Sequence, residues 1–173
     1  MHTLHLLRHA KSSWANDKLD DHDRPLSKRG HRDAETMARH LAAKAGKPDF
    51  ILSSTAARTR ETLVPLLDRL KPQRILLDRD LYLAPGSALL EHLRNTDEEV
   101  GIALLIGHNP GLHELALLLA NPESPVELPP LSGKFPTGAL ATFRFAPSWQ
   151  RLKPRGATLI AYATPRELLN QSE

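Results

Sequence analysis

Two short apolar runs in this 173-residue chain each end on a histidine. Leu4-His5-Leu6-Leu7 leads into Arg8-His9, and Ile102-Ala103-Leu104-Leu105-Ile106 leads into Gly107-His108-Asn109-Pro110-Gly111. Apolar runs of this length, bounded by turn residues, read as buried strands. A buried strand that stops on a cation-capable side chain presents it at a ligand-facing edge. A third apolar run, Phe50-Ile51-Leu52, leads through Ser53-Ser54-Thr55-Ala56-Ala57 to Arg58. Two histidines, two arginines and at least two helix N-termini gathered at one edge favour a dianion, most naturally phosphate. A neutral imidazole among them is a competent nucleophile for group transfer.

The elements around these runs give the gathering a geometry. His2 to Arg8 reads as the first strand, and the polar stretch from Lys11 to Pro25, with Asp17, Asp20, Asp21 and Asp23, as a loop. Ser27 is the expected N-cap of a helix whose apolar face is Ala34, Met37, Ala38, Leu41 and Ala42, ended by Gly46 and Pro48. Phe50-Ile51-Leu52 is a strand. Ser53-Ser54-Thr55 supplies cap chemistry for a second helix with Leu63, Leu66, Leu67 and Leu70 on one face, and Pro65 is expected to kink or restart it.

Arg74 to Leu77 is a third strand, and Pro85-Gly86-Ser87 opens a third helix to about Leu93. Gly101 to Ile106 is the fourth strand. Asn109 with Pro110 reads as a cap and first helical residue, followed by the face Leu112, Leu115, Ala116, Leu119. Residues 121–136 hold five prolines and form a long loop, a candidate lid. Ala139 to Phe145 and Ala157 to Ala163 are late strands expected to pair antiparallel at a sheet edge.

Strand–helix alternation with two closing strands predicts one α/β domain over residues 1–173, a three-layer sandwich whose mostly parallel central sheet is flanked by helices. In such sheets ligands lie outside the carboxyl ends of the strands. That rule brings Arg8, His9, Arg58 and His108 to one edge. Arg60 is two helical residues from Arg58, so it points elsewhere and reads as a solvated arginine. His2 and His5 read as structural or surface residues.

Composition narrows the chemistry. The chain has no cysteine, which excludes thiol catalysis and Cys-ligated metal. No histidine–carboxylate cluster has metal-ligand spacing, and neither nucleotide-binding glycine motif is present, so neither metal nor cofactor is expected. The formal charge of +3 is dispersed and aromatics are 5%, which argues against a nucleic-acid partner. No apolar run approaches the ~20 residues of a membrane span. The start of the chain lacks a signal-peptide pattern, so a cytoplasmic protein with no membrane partner is expected.

Leu7-Arg8-His9, then Asp23-Arg24-Pro25-Leu26-Ser27-Lys28-Arg29-Gly30, then Ser53 to Thr62, then Gly107-His108-Asn109-Pro110-Gly111 resembles the histidine phosphatase (phosphoglycerate-mutase-like) superfamily. Within it the chain most resembles the small SixA-type phosphohistidine phosphatases. The motifs come in family order over roughly residues 1–120, and Pro136 to Ala141 is also similar. The resemblance implies that His9 is the nucleophile that becomes phosphorylated. It implies that Arg8, Arg58 and His108 form the phosphate pocket, and that Arg24 lies close to the phosphate.

Two departures stand out. Ala10 replaces a common glycine after the histidine, which would limit how closely substrate approaches the backbone there. The loop after the third strand, Asp80-Leu81-Tyr82-Leu83-Ala84-Pro85-Gly86, has no carboxylate after Leu81, where the broad phosphatases carry their acid. Alkoxide leaving groups need a proton, worth ~10²–10⁴ in rate. Phosphohistidine departs readily once its ring nitrogen is protonated.

The expected function is therefore hydrolysis of phosphohistidine on a protein through a phosphohistidine enzyme intermediate, with Arg8 and Arg58 keeping His9 neutral. The alternatives are hydrolysis of small phosphomonoesters, with an acid swung in from Asp17, Asp20, Asp21 or Asp23, or a non-catalytic phosphate-binding module. The expected partner is a phosphorylated protein or a small phosphorylated substrate.

Overall fold

The computed structural model describes residues 1–130 and 132–171. The expected α/β sandwich is the observed one. Six strands, β1 (His2–Arg8), β2 (Phe50–Ser54), β3 (Arg74–Asp78), β4 (Ile102–Gly107), β5 (Leu140–Phe145) and β6 (Ala157–Ala163), form a single sheet. Their order is β3-β2-β4-β1-β5-β6. The first four run parallel, and β5 pairs antiparallel with both β1 and β6. Among the described residues β5 is thus the only reversed strand.

Alternation along each strand builds two cores. Leu7, Ile51, Leu104 and Ile106 pack with Met37, Leu41, Leu63 and Leu66 from α1 (Lys28–His40), the turn after it and α2 (Ala57–Leu70). Leu4, Leu6, Leu52, Ala103 and Leu105 pack on the other face with Leu89, Leu90, Leu112 and Leu115 from α3 (Gly86–Arg94) and α4 (Gly111–Leu119). A parallel sheet covered on both faces needs such two-sided apolar strands.

Three local expectations change. Pro65 lies inside α2, which continues through it from Ala57 to Leu70 as one helix. Helix α2 has Ala56 at its N-cap without a side-chain cap bond. Instead the Ser54 hydroxyl accepts from Ala56 N, and the Thr59 hydroxyl donates to Ser54 O and Ala56 O. Asn109 does not cap α4, because its amide is drawn away to donate to Phe135 O at 3.0 Å, and Pro110 takes the N-cap position after a cis peptide bond. A short helix absent from the sequence reading, α5 (Pro165–Asn170), closes the described chain with a Thr164–Glu167 capping box. Such a box satisfies two otherwise orphaned N–H groups.

The proline-rich loop of residues 121–136 contains no helix or strand among its described residues, and Leu131 lies outside them. It is anchored rather than loose at its far end. Phe135 is buried and its carbonyl accepts from Arg8 and Asn109, and Pro129 O bonds the His113 ring. No helix among the described residues is long and apolar enough to cross a membrane.

Candidate active site

The end of β1 is held from two sides. His9 N donates to Gly107 O of β4 at 3.1 Å, and Gly138 N bonds both Arg8 O and His9 O at 3.1 Å. Gly138 sits at φ +78°, and a Cβ there would meet Pro165 Cγ at 2.6 Å, so glycine is required for this clamp. The next residue, Ala10, turns its methyl into a small cluster with Leu26 and Ala34, while its N–H donates to the Thr62 hydroxyl at 3.0 Å. The methyl is thereby fully buried in that cluster.

The His9 ring is fixed in one tautomer. Nδ1 lies 2.7 Å from Ala10 O, a carbonyl that can only accept, so Nδ1 carries the proton. Nε2 then presents its lone pair, and Arg58 Nε–H donates toward it at 3.3 Å. Burial is the main reason that the imidazole is pushed down from 6.5 to about 3, with His108, Arg58 and Arg8 adding repulsion and the Ala10 carbonyl opposing them. The expected neutral His9 is therefore found, but burial contributes more to it than the arginines do.

Arg58, the second residue of α2, is 4% exposed. Its Nη1 donates to Asp21 O at 2.6 Å and its Nη2 to Asp21 Oδ2 at 3.0 Å. The first turn of α2 is tied to the end of β1 by Thr62, whose hydroxyl donates to Arg58 O and accepts from Ala10 N. Arg60, by contrast, is exposed, as the helical rotation requires. Arg8 donates from Nη1 to Phe135 O at 2.8 Å, and its Nε is buried with no partner.

His108 follows β4, its ring centroid 5.3 Å from that of His9. Its Nε2 lies 2.8 Å from Ser54 Oγ. Ser54 Oγ already accepts from Ala56 N, so its hydroxyl proton is free to donate to Nε2. In the tautomer that accepts this proton at Nε2, Nδ1 is an N–H donor, and it is buried and unpartnered. Burial first, then Arg58, lowers this imidazole to about 3, so it is also neutral.

Arg24 is buried and fixed by three bonds, from Nε to Ser13 O, from Nη1 to Asp21 Oδ1 at 2.7 Å and from Nη2 to Ser12 Oγ. All five residues singled out from the sequence thus converge. His2 and His5 do not join them. His2 bonds Val100 O and stacks on Phe145, and His5 is buried against Thr142.

Two further residues line the site: Asp21, one of the four loop aspartates offered as a swinging acid, and Tyr82, which the sequence alone did not single out. The Asp21 carboxylate lies between Arg24 and Arg58, and its Oδ2 also accepts the Tyr82 hydroxyl. The Tyr82 hydroxyl first, then the two arginines, hold Asp21 far below the usual carboxylate range. All four loop aspartates, Asp17, Asp20, Asp21 and Asp23, are exposed, and of them Asp21 is the one held as an anion between Arg24 and Arg58.

Tyr82 occupies the position after Leu81. Its ring stands edge-on to His108 and His22, and its guanidinium neighbour is Arg58. Burial and Asp21 raise its hydroxyl, which keeps its proton. Its loop is seated on α4, since a Cβ on Gly111 would fall 1.8 Å from Ala84 O. The position after Leu81 thus holds a tyrosine against Asp21, His108 and Arg58 where a carboxylate was sought.

Comparison with known proteins gives a consistent result. Residues 4–82 match the histidine phosphatase superfamily (branch 1). An uncharacterised protein of Mycobacterium tuberculosis is 35% identical over 163 residues, covering 92% of this chain and all of that protein. A protein of Nakamurella multipartitia assigned as the phosphohistidine phosphatase SixA has a similar structure, with a TM-score of 0.81, 27% identity, and coverage of 95% of this chain and 96% of the other. A protein of Agrobacterium tumefaciens with the same assignment gives a TM-score of 0.78, 29% identity and coverage of 95% and 98%.

Proposed function

From the premise that this chain belongs to the histidine phosphatase superfamily and is a phosphatase of SixA type, we propose that it hydrolyses phosphohistidine on a protein substrate through a phosphorylated His9. The observation that carries this reading is the state of His9, neutral, with Nδ1–H held by Ala10 O and the Nε2 lone pair directed toward Arg58.

In the first step His9 Nε2 attacks phosphorus in line with the bond to the substrate's ring nitrogen. The Nε2–P bond forms, the P–N bond breaks, and the leaving imidazole departs with the proton already on its ring. Charge on the transferring oxygens is met by Arg8, Arg24 and Arg58 and by the unpartnered Nδ1–H of His108. In phosphoryl transfer such positioning and charge stabilisation supply most of the catalysis. The incoming dianion replaces the Asp21 carboxylate as the partner of Arg24 and Arg58. In the second step water attacks phosphorus, the Nε2–P bond breaks, and inorganic phosphate leaves with His9 restored.

The preference for a phosphoramidate rests on the same loops. Asp21 is held ionised and has no proton to give, and no carboxylic acid follows Leu81. One observation favours a second reading, hydrolysis of small phosphomonoesters. The Tyr82 hydroxyl keeps its proton beside His108 and Arg58 and could protonate an ester oxygen. The two are separated by offering a phosphohistidine peptide and a panel of alkyl and aryl phosphates to the wild type, His9→Ala and Tyr82→Phe. The leading reading expects phosphohistidine to be cleared by the wild type and by Tyr82→Phe, and not by His9→Ala. Turnover confined to alkyl esters and lost in Tyr82→Phe would replace it with the second.

A further inference from the structure

Two loops that contribute to this site also carry exposed apolar side chains that a small phosphate does not need. Trp14 is 71% exposed, and one face of its ring is covered by the Arg24 guanidinium, whose central carbon lies 3.2 Å from the ring centroid. Arg24 is itself immobilised by Ser12, Ser13 and Asp21. The strand-like bridge between Ser12 and Leu26, with Ser13 N donating to Pro25 O, fixes the backbone on either side. Trp14 is therefore held in place with its other face open to solvent.

On the second loop Leu83 follows Tyr82 and is 50% exposed. Its φ of +52° is a left-handed conformation that leucine rarely adopts. Strain of this kind collects at ligand clamps and other functional sites. A chain of contacts links the two apolar groups across the phosphate ligands. Trp14 stacks on Arg24, Arg24 pairs with Asp21, Asp21 accepts from Tyr82, and Leu83 is the next residue.

We propose that Trp14 and Leu83 form a docking collar for the polypeptide that carries the phosphorylated side chain, so that the enzyme selects protein-borne phosphate over small phosphates. The inference rests on the phosphatase reading above and adds where the rest of the substrate lies. The leaving group must extend away from His9 Nε2, and the loops that supply Arg24, Asp21 and Tyr82 carry these two exposed side chains. A tryptophan with one face fixed and one free offers a broad apolar contact with little ordering left to do on binding, the property that makes tryptophan frequent at protein interfaces. Apolar side chains next to the phosphorylated residue are the matching feature in the partner.

The test compares kcat/KM on a histidine-phosphorylated protein and on phosphoramidate for the wild type, Trp14→Ala, Trp14→Phe and Leu83→Asn. Asparagine is chosen because it tolerates the left-handed conformation. Expected is a loss of roughly tenfold or more on the phosphoprotein for Trp14→Ala and a smaller loss for Leu83→Asn. Trp14→Phe should stay near the wild type, and phosphoramidate turnover should change by less than about threefold in every variant.

Equal losses on both substrates would mean that Trp14 only steadies Arg24, and would overturn the collar. So would the absence of any loss. If the wild type clears alkyl esters and leaves phosphohistidine untouched, the phosphohistidine reading has failed by itself. The same variants then compare a phosphoserine peptide with free phosphoserine, where a loss confined to the peptide upholds the collar and equal or absent losses overturn it.

Discussion

The ends of β1 and β4 are neighbours in the sheet, and each delivers a buried histidine, yet the two imidazoles are prepared differently. His9 donates from Nδ1 to a backbone carbonyl, so its free lone pair is on Nε2, the nucleophile of the proposed mechanism. When His108 accepts the Ser54 hydroxyl at Nε2, its free nitrogen is a donor, Nδ1–H. Both are pushed down to about 3, mainly by burial. Burial thus favours the neutral form of both rings, and the proposed mechanism assigns the attack to His9 and charge stabilisation to His108 according to these partners.

The sharpest way to break this comparison is to replace each histidine. His9→Gln should lose turnover on the order of 10⁴-fold and form no phosphoenzyme, as expected for a residue that makes the covalent bond. His108→Ala should lose about 10²–10³-fold in kcat, the effect of removing one preorganised donor, while His9 is still phosphorylated. Single-turnover assays with isotopically labelled substrate separate the two outcomes. Equal losses with no phosphoenzyme in either variant would erase the distinction.

Stability against pH tests what the rings share. Each imidazole is near 6.5 when unfolded and about 3 when folded. Between those values the unfolded state binds more protons, so stability falls as pH drops from about 6.5 toward 3 and is unaffected by these groups above 6.5. The slope is at most about 1.4 kcal/mol per pH unit for each histidine. Denaturant titrations from pH 7 to pH 4 should show this decline. The doubly substituted His9→Gln, His108→Gln protein should show a flatter one, and an unchanged slope would mean that the two rings are not held neutral by the fold.

The smallest expected effect concerns the anion that shares the arginines. Asp21→Asn removes the charge that competes for Arg24 and Arg58, so inorganic phosphate should inhibit a few-fold more strongly, with kcat little changed. Inhibition constants measured side by side check this. Weaker inhibition would show that Asp21 orients the arginines for phosphate instead of competing with it.

Much of this site was legible in the chain because the sheet rule converts strand ends into neighbours. Arg8, His9, Arg58 and His108 needed only the apolar runs before them to be placed at one edge, and Arg24 followed from the resemblance of the segment around it. Asp21 and Tyr82 were not legible in the same way. Asp21 lies in a loop with three other aspartates, all of them exposed, and only the folded path of that loop places this one between two arginines. Tyr82 is joined to Asp21 by a bond across 61 residues of sequence, which no local pattern reports. The continuous α2 through Pro65 has the same lesson, since tertiary packing of Leu63 and Leu66 keeps a helix that local preference would interrupt.

The central claim is that His9 Nε2 carries the phosphoryl group. Rapid quenching of the protein during turnover, followed by alkaline digestion and peptide mass spectrometry, reads it directly. The account predicts a phosphate on the peptide containing His9 that is stable to base, is lost in acid, and is absent from His9→Gln but present in His108→Ala. A phosphate found on another residue, or full turnover by His9→Gln, would contradict it.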